Sequence, residues 1–200
     1  MELQYREQRQ KLLWIIHDLW ERRLTNAAGG NCAMRVDENR ILISPTRMSE
    51  DKHCRIAIEE PLLMDYDCNV LEGTGKVSRE GRMHAGILKN IPEVGGVIHA
   101  HPFYTMVYVA ACKPVPQKTE ATLRMGDTGL IHQAKAYSPE LADNAYAYFV
   151  ERREQLKVTG LCGLLPFHGT VAVGKNIEQA YSVVERVEAD AVCNLLGKLI

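Results

Sequence analysis

Apolar residues recur along this chain with two different periods, and the switches between them outline its elements. In residues 3–24 the side chains of Leu12, Leu13, Ile15, Ile16 and Leu19 fall on one side of a 3.6-residue turn, which predicts an amphipathic helix, with Trp14 and Trp20 fitting its packing. Short apolar runs at 31–36 and 40–44 flank Asp37-Glu38-Asn39 and read as a hairpin. Residues 56–65 and 69–71 read as further strands. Residues 78–90 read as a helix, with Ser78 as its N-cap and Arg79 and Glu80 in its first turn. The run Val94-Gly95-Gly96-Val97-Ile98-His99-Ala100-His101-Pro102 reads as a buried strand that Pro102 ends, and a helix over 102–111 comes next. Ser138-Pro139-Glu140 supplies an N-cap, a proline at the first helical position and an acid for a helix to about residue 154. Apolar residues 160–167 and 170–173 precede a last helix that opens near Asn176. Helices on both sides of a strand-rich middle predict an α/β layered domain, and the hairpin signals make part of its sheet antiparallel. One contiguous apolar pattern over 200 residues predicts a single domain, 1–200, with a sizeable core.

Composition narrows the function classes. Lys+Arg total 24 and Asp+Glu 25, a formal net charge of −1, and no basic run stands out, so no nucleic-acid partner is expected. No apolar run approaches the roughly 20 residues a membrane span needs, so no membrane partner is expected either. The first residues are charged and polar, unlike a signal peptide. Six cysteines (32, 54, 68, 112, 162 and 193) are scattered without a CxxC pair, several in apolar surroundings. They read as reduced core thiols of a cytoplasmic protein.

The chemistry concentrates in the 94–102 run. Side chains two apart on a strand point the same way, so His99 and His101 share a face. Catalytic zinc takes three protein ligands, of which these would be two, the plain alternative being two core histidines bonded to backbone carbonyls. A third ligand belongs far along the chain, where a second strand comes alongside. His168, between the apolar run 160–167 and Gly169, has room to turn toward a metal. Glu80, placed at a helix mouth where the dipole favours an acid, is the nearest candidate base. A metal nearby would hold its carboxylate ionised. His17, His53 and His132 show no partner at a ligand spacing. Gly29-Gly30-Asn31 could form a backbone nest for an anion, with Thr46 and Ser78 adding hydroxyls. Arg47 and Arg79 stand beside it, each with a planar fork that matches phosphate or carboxylate.

Taken in order, these segments resemble the class II aldolase/adducin family. Ala28-Gly29-Gly30-Asn31 is similar to its phosphate turn, and Ile43-Ser44-Pro45-Thr46 to its Thr-Pro-Thr/Ser-Gly segment. Ser78-Arg79-Glu80 with His84 is similar to its Ser-Ser-Glu-x-x-x-His helix start. Ile98-His99-Ala100-His101 is similar to its His-x-His strand. His168-Gly169 is similar to its His-Gly pair, and Gly174 with a helix bearing Glu185 and Glu188 to the segment after that pair. The resemblance implies a three-layer α/β/α fold with a mainly antiparallel sheet, and a homotetramer with sites at subunit boundaries. It also implies one Zn²⁺ on His99, His101 and His168, with Glu80 helping to hold the empty metal and then acting as acid/base. The substrate would be a small anionic keto-sugar phosphate or hydroxy-keto acid, chelated through a ketone and the adjacent hydroxyl, and split by retro-aldol cleavage to an enediolate.

Two departures bear on the reaction. Arg47 stands where these aldolases have Gly, and Arg79 where they often have a second Ser, so the anion is held differently or is a carboxylate. The family's aldolases also carry a tyrosine from a neighbouring subunit; the nearest equivalent here is Glu120, in Val115-Pro116-Gln117-Lys118-Thr119-Glu120. A carboxylate there is similar to the family's dehydratase branch. His84, four residues after Glu80 on the same helix face, is expected to pack or orient the site. The reading is therefore a zinc-dependent carbon–carbon lyase. Its rivals are dehydration, 4-epimerisation or decarboxylation on the same scaffold, and a non-catalytic adducin-like interaction module.

Overall fold

A computed structural model describes residues 3–200; Met1 and Glu2, which open the charged N-terminal stretch, lie outside them. The chain runs α1 (Arg6–Glu21), β1 (Asn31–Arg35), β2 (Arg40–Ile43), α2 (Met48–Lys52), β3 (Leu62–Asp65), β4 (Val70–Glu72) and α3 (Gly81–Asn90). It continues through β5 (Gly96–Ala100), α4 (Thr105–Ala111), α5 (Pro139–Val150), α6 (Arg153–Leu156), β6 (Leu161–Leu165), β7 (Gly169–Gly174) and α7 (Ile177–Leu196). Short 3₁₀ turns lie at Glu120–Thr122 and Gly197–Leu199. The strands form one sheet in the order β4-β3-β2-β1-β5-β7-β6, and every neighbouring pair is antiparallel.

Helices cover both faces, giving the three layers expected. On one face α7 lies across β5 and β7, with α1 and α4 beside it. Gly96 and Gly174 are register partners there. A Cβ on Gly96 would come within 2.4 Å of Ile177 Cα, and one on Gly174 within 2.6 Å of the Ala180 nitrogen. The two bare positions let the α7 backbone rest directly on the sheet. On the other face α3 packs on β1 and β5, and α5 packs on α3 and β6. In the β1–β5 register Asn31 stands opposite His99, so both side chains rise toward α3. Strands β5, β6 and β7 are buried along their whole length, as strands covered on both faces must be.

Several boundaries differ from the sequence reading, each for a local reason. The strand expected from residue 56 starts at Leu62, because the segment before it is turned toward a buried arginine. The Arg9 guanidinium donates to Pro61 O at 2.6 Å and Ile58 O at 3.3 Å, and pairs with Glu72 at 2.7 Å. Helix α3 begins at Gly81, so Ser78 is not its N-cap; the Ser78 hydroxyl instead accepts from the Glu80 N–H at 3.3 Å. Helix α4 begins at Thr105 rather than Pro102, where Glu188 of α7 accepts from the N–H groups of Tyr104 (2.7 Å) and Thr105 (2.8 Å). The helix expected over 139–154 breaks after Val150, where Arg152 bonds Phe149 O three residues back and its guanidinium stacks on Tyr148 at 3.8 Å. The five-residue α2 had no counterpart in the sequence reading. Trp14, assigned to helix packing, is 54% exposed. All six cysteines are free.

Candidate active site

Three strand ends bring the histidines together. His99 is the penultimate residue of β5, His101 lies just past the strand, and His168 closes the turn between β6 and β7. One ring nitrogen from each of the three lies within 4.8 Å of the others. The His101 ring fits between two glycine backbones. A Cβ at Gly29 would sit 2.7 Å from its Cε1, and one at Gly169 would sit 2.5 Å from its Cδ2.

The outer partners set the ring tautomers. His99 Nδ1 lies 2.9 Å from Thr170 O, a carbonyl that only accepts, so that nitrogen carries the proton. His101 Nδ1 lies 3.3 Å from Asn26 Oδ1 in the same relation. Both Nε2 atoms are then left with lone pairs, and they face each other at 3.1 Å. Burial holds both rings neutral, their pKa values pushed down to about 3, with the neighbouring imidazoles acting in the same direction. Two facing lone pairs repel unless a cation sits between them. Ligands about 2.0–2.1 Å from a tetrahedral zinc lie roughly 3.3 Å apart, close to the separation seen.

Glu80 completes the set. It is buried, with Oε2 at 3.4 Å from His99 Nε2 and Oε1 at 3.3 Å from His168 Nε2. Oε1 is a buried atom without a hydrogen-bond partner, as is His168 Nδ1. A buried carboxylate oxygen without a hydrogen-bond partner is costly on its own and would be compensated by a divalent cation. The donor set fits such an ion: three nitrogens and one ionisable oxygen. On the far side Asn31 Nδ2 donates to Glu80 Oε2 at 2.6 Å, and Asn31 Oδ1 is bonded to His84 Nε2. Burial pushes the His84 pKa down to about 4, so the ring stays neutral and donates to that oxygen. His84 thus orients Asn31, and Asn31 orients Glu80.

The group opens on a cavity of about 240 Å³. Every residue expected to bind substrate lines it: Gly30, Asn31, Thr46, Arg47, Ser78 and Arg79. Their roles differ from the sequence reading in two places. The Asn31 amide is turned to Glu80 and His84 rather than held open for an anion. Arg47 applies its fork to Asp51, at 3.1 and 2.9 Å, with Glu50 at 3.4 Å. Arg79, by contrast, has no hydrogen-bond or ion-pair partner among the described residues, and its guanidinium lies 3.8 Å over the Tyr137 ring. Glu120 is not among the lining residues; it is exposed in the 3₁₀ turn, outside the cavity of its own chain.

The sequence assigns Tyr137, with Tyr146 and Tyr148, to the penultimate helix, a neighbouring subunit's site being the alternative, and gives Asn26 no role; Tyr137 in fact lies before that helix, in the cavity of its own chain. Tyr137 adopts φ +66° just before α5 and meets the His168 ring edge-on, with centroids 5.9 Å apart. No apolar period marks such a residue; only its position before Ser138-Pro139 hints at a fixed turn. Asn26 could have been suspected from the turn it makes, its Oδ1 accepting from Ala28 N at 2.9 Å ahead of Gly29-Gly30.

The chain resembles several characterised proteins along nearly its whole length. It is 28% identical over 188 residues to an L-fuculose phosphate aldolase of Methanococcus maripaludis, covering 91% of this chain and 93% of that one. It is 26% identical over 190 residues to a 3-oxo-tetronate 4-phosphate decarboxylase of Haemophilus influenzae, covering 92% and 85%. Among solved structures, an L-fuculose 1-phosphate aldolase superposes with a TM-score of 0.82 at 26% identity, covering 100% of this chain and 89% of that one. The model of the class II aldolase and adducin N-terminal domain matches residues 10–195. The chain therefore belongs to the class II aldolase and adducin family, and it is an enzyme of the family's aldolase type.

Proposed function

We propose that this protein is a zinc-dependent carbon–carbon lyase that cleaves a small keto-sugar phosphate or hydroxy-keto acid by aldol cleavage. The observation that carries this reading is the meeting of three imidazoles with the unpartnered oxygen of Glu80 at the floor of a polar cavity. His99, His101 and His168, with Glu80, would hold a divalent metal, which would supply a Lewis acid for negative charge on the substrate's oxygens.

The chain's own residues do the rest. Glu80 moves the proton at the carbon freed by cleavage, held in line by Asn31 and through it by His84. Thr46, Ser78 and the backbone at Gly30 hold the anionic end of the substrate, with Arg79 as the uncommitted charge beside them. The working form in this reading is a cytoplasmic homotetramer, in which Glu120 serves a neighbouring subunit's site.

Decarboxylation is the second reading, favoured by the similarity to the Haemophilus influenzae decarboxylase over 92% of the chain. It too breaks a carbon–carbon bond beside a ketone and uses the same charge sink. Zinc-loaded protein incubated with a panel of keto-sugar phosphates and keto acids separates the two. Release of an aldehyde fragment supports aldol cleavage, and release of carbon dioxide supports decarboxylation. A product lighter by one water, with the carbon chain intact, contradicts both in favour of dehydration.

A further inference from the structure

Tyr137 sits in a left-handed backbone conformation, φ +66°, that bulky side chains rarely adopt. The turn around it is closed from both directions. The Ser138 N–H donates to Lys135 O at 3.1 Å, and the Ser138 hydroxyl caps α5 by accepting from Leu141 N at 3.1 Å, with Pro139 in the first turn of the helix. The ring is 42% exposed, and its hydroxyl makes no hydrogen bond among the described residues. Neither burial nor a hydroxyl contact accounts for a backbone held this way. The ring's own contacts do: one edge meets His168, and one face carries the Arg79 guanidinium, its carbon 3.8 Å from the ring centroid.

A guanidinium can be held by its edge or by its face. Arg47 is held by its edge, its N–H groups donating to Asp51 at 3.1 and 2.9 Å. A carboxylate held that way takes up the fork that an anionic ligand would need. Arg79 is held by its face, since 3.8 Å is the contact distance of a guanidinium lying flat on a ring. Stacking engages the π face and leaves all five in-plane N–H donors open. The two acids that line the cavity do not compete for them: Glu50 lies beside Arg47 at 3.4 Å, and Glu80 is turned to Asn31 and the imidazoles. A free arginine would give up its rotamer freedom on meeting an anion, whereas a stacked one has already lost part of it.

We propose that Tyr137 is a positioning residue whose ring holds Arg79 at the cavity wall with its fork open for the anionic group of the ligand. The ring face does this, and the hydroxyl has no part in it. The proposal rests on the lyase reading for what enters the cavity, and it adds how the binding cation is kept in place.

Two probes separate the anion's contribution from the rest. Dihydroxyacetone phosphate carries a ketone, an adjacent hydroxyl and a phosphate, and dihydroxyacetone lacks only the phosphate. Calorimetry on zinc-loaded protein should show a gain in affinity from the phosphate of roughly tenfold or more, as for a charge-assisted contact. Tyr137→Leu should reduce that gain by about threefold to tenfold, the range of one cation–π contact. Tyr137→Asn, whose side chain suits left-handed backbone and so preserves the turn, should reduce it equally. Tyr137→Phe should keep it. In an Arg79→Ala background Tyr137→Asn should have no further effect. Absence of a phosphate gain in the unmodified chain overturns the proposal, as does a gain that survives both Tyr137→Leu and Tyr137→Asn. A loss in Tyr137→Phe, or a further loss in the Arg79→Ala background, overturns it too, because the hydroxyl or the ring would then act without Arg79. These are binding equilibria, so a gain that depends on both residues in a protein that cleaves no keto compound would overturn the lyase reading alone.

Discussion

Asn31 Nδ2 donates to Glu80 Oε2 at 2.6 Å, joining two residues 49 positions apart through the packing of α3 on β1. The bond fixes one carboxylate oxygen and leaves the other facing the imidazoles. Replacing Asn31 by Ala should therefore lower turnover by about 10- to 100-fold, the usual cost of losing an outer partner of a metal site. The three imidazoles are untouched, so elemental analysis should still find metal in the variant. Unchanged turnover would show that Glu80 needs no such support.

Glu80→Gln should abolish turnover by at least about 10²-fold, because it removes the group that moves the proton. The fold should persist, since the amide can accept from Asn31 as the carboxylate does. Near-normal turnover with intact metal would assign the proton step elsewhere.

The two arginines of the cavity should behave differently. Arg79 is free to meet an anion, whereas Arg47 is bound to Asp51. Arg79→Ala should raise the substrate Michaelis constant by roughly tenfold or more, as for a charged contact of about 1.5–3 kcal/mol. Arg47→Ala should have the smaller effect. Steady-state kinetics with the larger effect at Arg47 would relocate the anion.

Acid should destabilise the metal-free protein. Burial lowers the pKa values of His84 to about 4 and of His99 and His101 to about 3. In the unfolded chain these rings take up protons below about pH 6.5, while the folded chain holds them neutral. The unfolded state thus binds more protons, and stability falls as pH drops from about 7 toward 4. Thermal midpoints of metal-free protein at several pH values across that window check this. A midpoint independent of pH would show that the rings are not held neutral.

Glu120 lies outside its own chain's cavity, so any part it plays requires a neighbouring subunit. Glu120→Gln and Glu80→Gln should each be inactive alone and regain activity when mixed in one oligomer. Mixed chains that stay inactive, or a fully active Glu120→Gln, would remove Glu120 from the chemistry.

Sequence distance separates the legible features from the hidden ones. His99 and His101 were legible as a pair because a strand's two-residue period is local. The hairpin of β1 and β2 was legible because its turn residues are adjacent to its apolar runs. The partnership of Asn31 with Glu80 was hidden, since it depends on which strand lies under which helix. So was the clamp of Arg9 on Pro61 and Ile58, which delays β3, because a buried arginine looks like any other on a helix. Tyr137 gave no local signal: its position over the site comes from a left-handed backbone turn and the Arg79 stack. The resemblance supplied the antiparallel sheet, which the β5–β7 and β1–β5 registers then explain.

The most direct test of the account is the metal content of the purified protein and of three single variants, His99→Ala, His101→Ala and His168→Ala. Elemental analysis should find a ratio of about one zinc per chain in the unmodified protein and a loss of that metal in each variant. Metal-free protein with full lyase activity, or a His168→Ala variant that keeps both metal and activity, would contradict it.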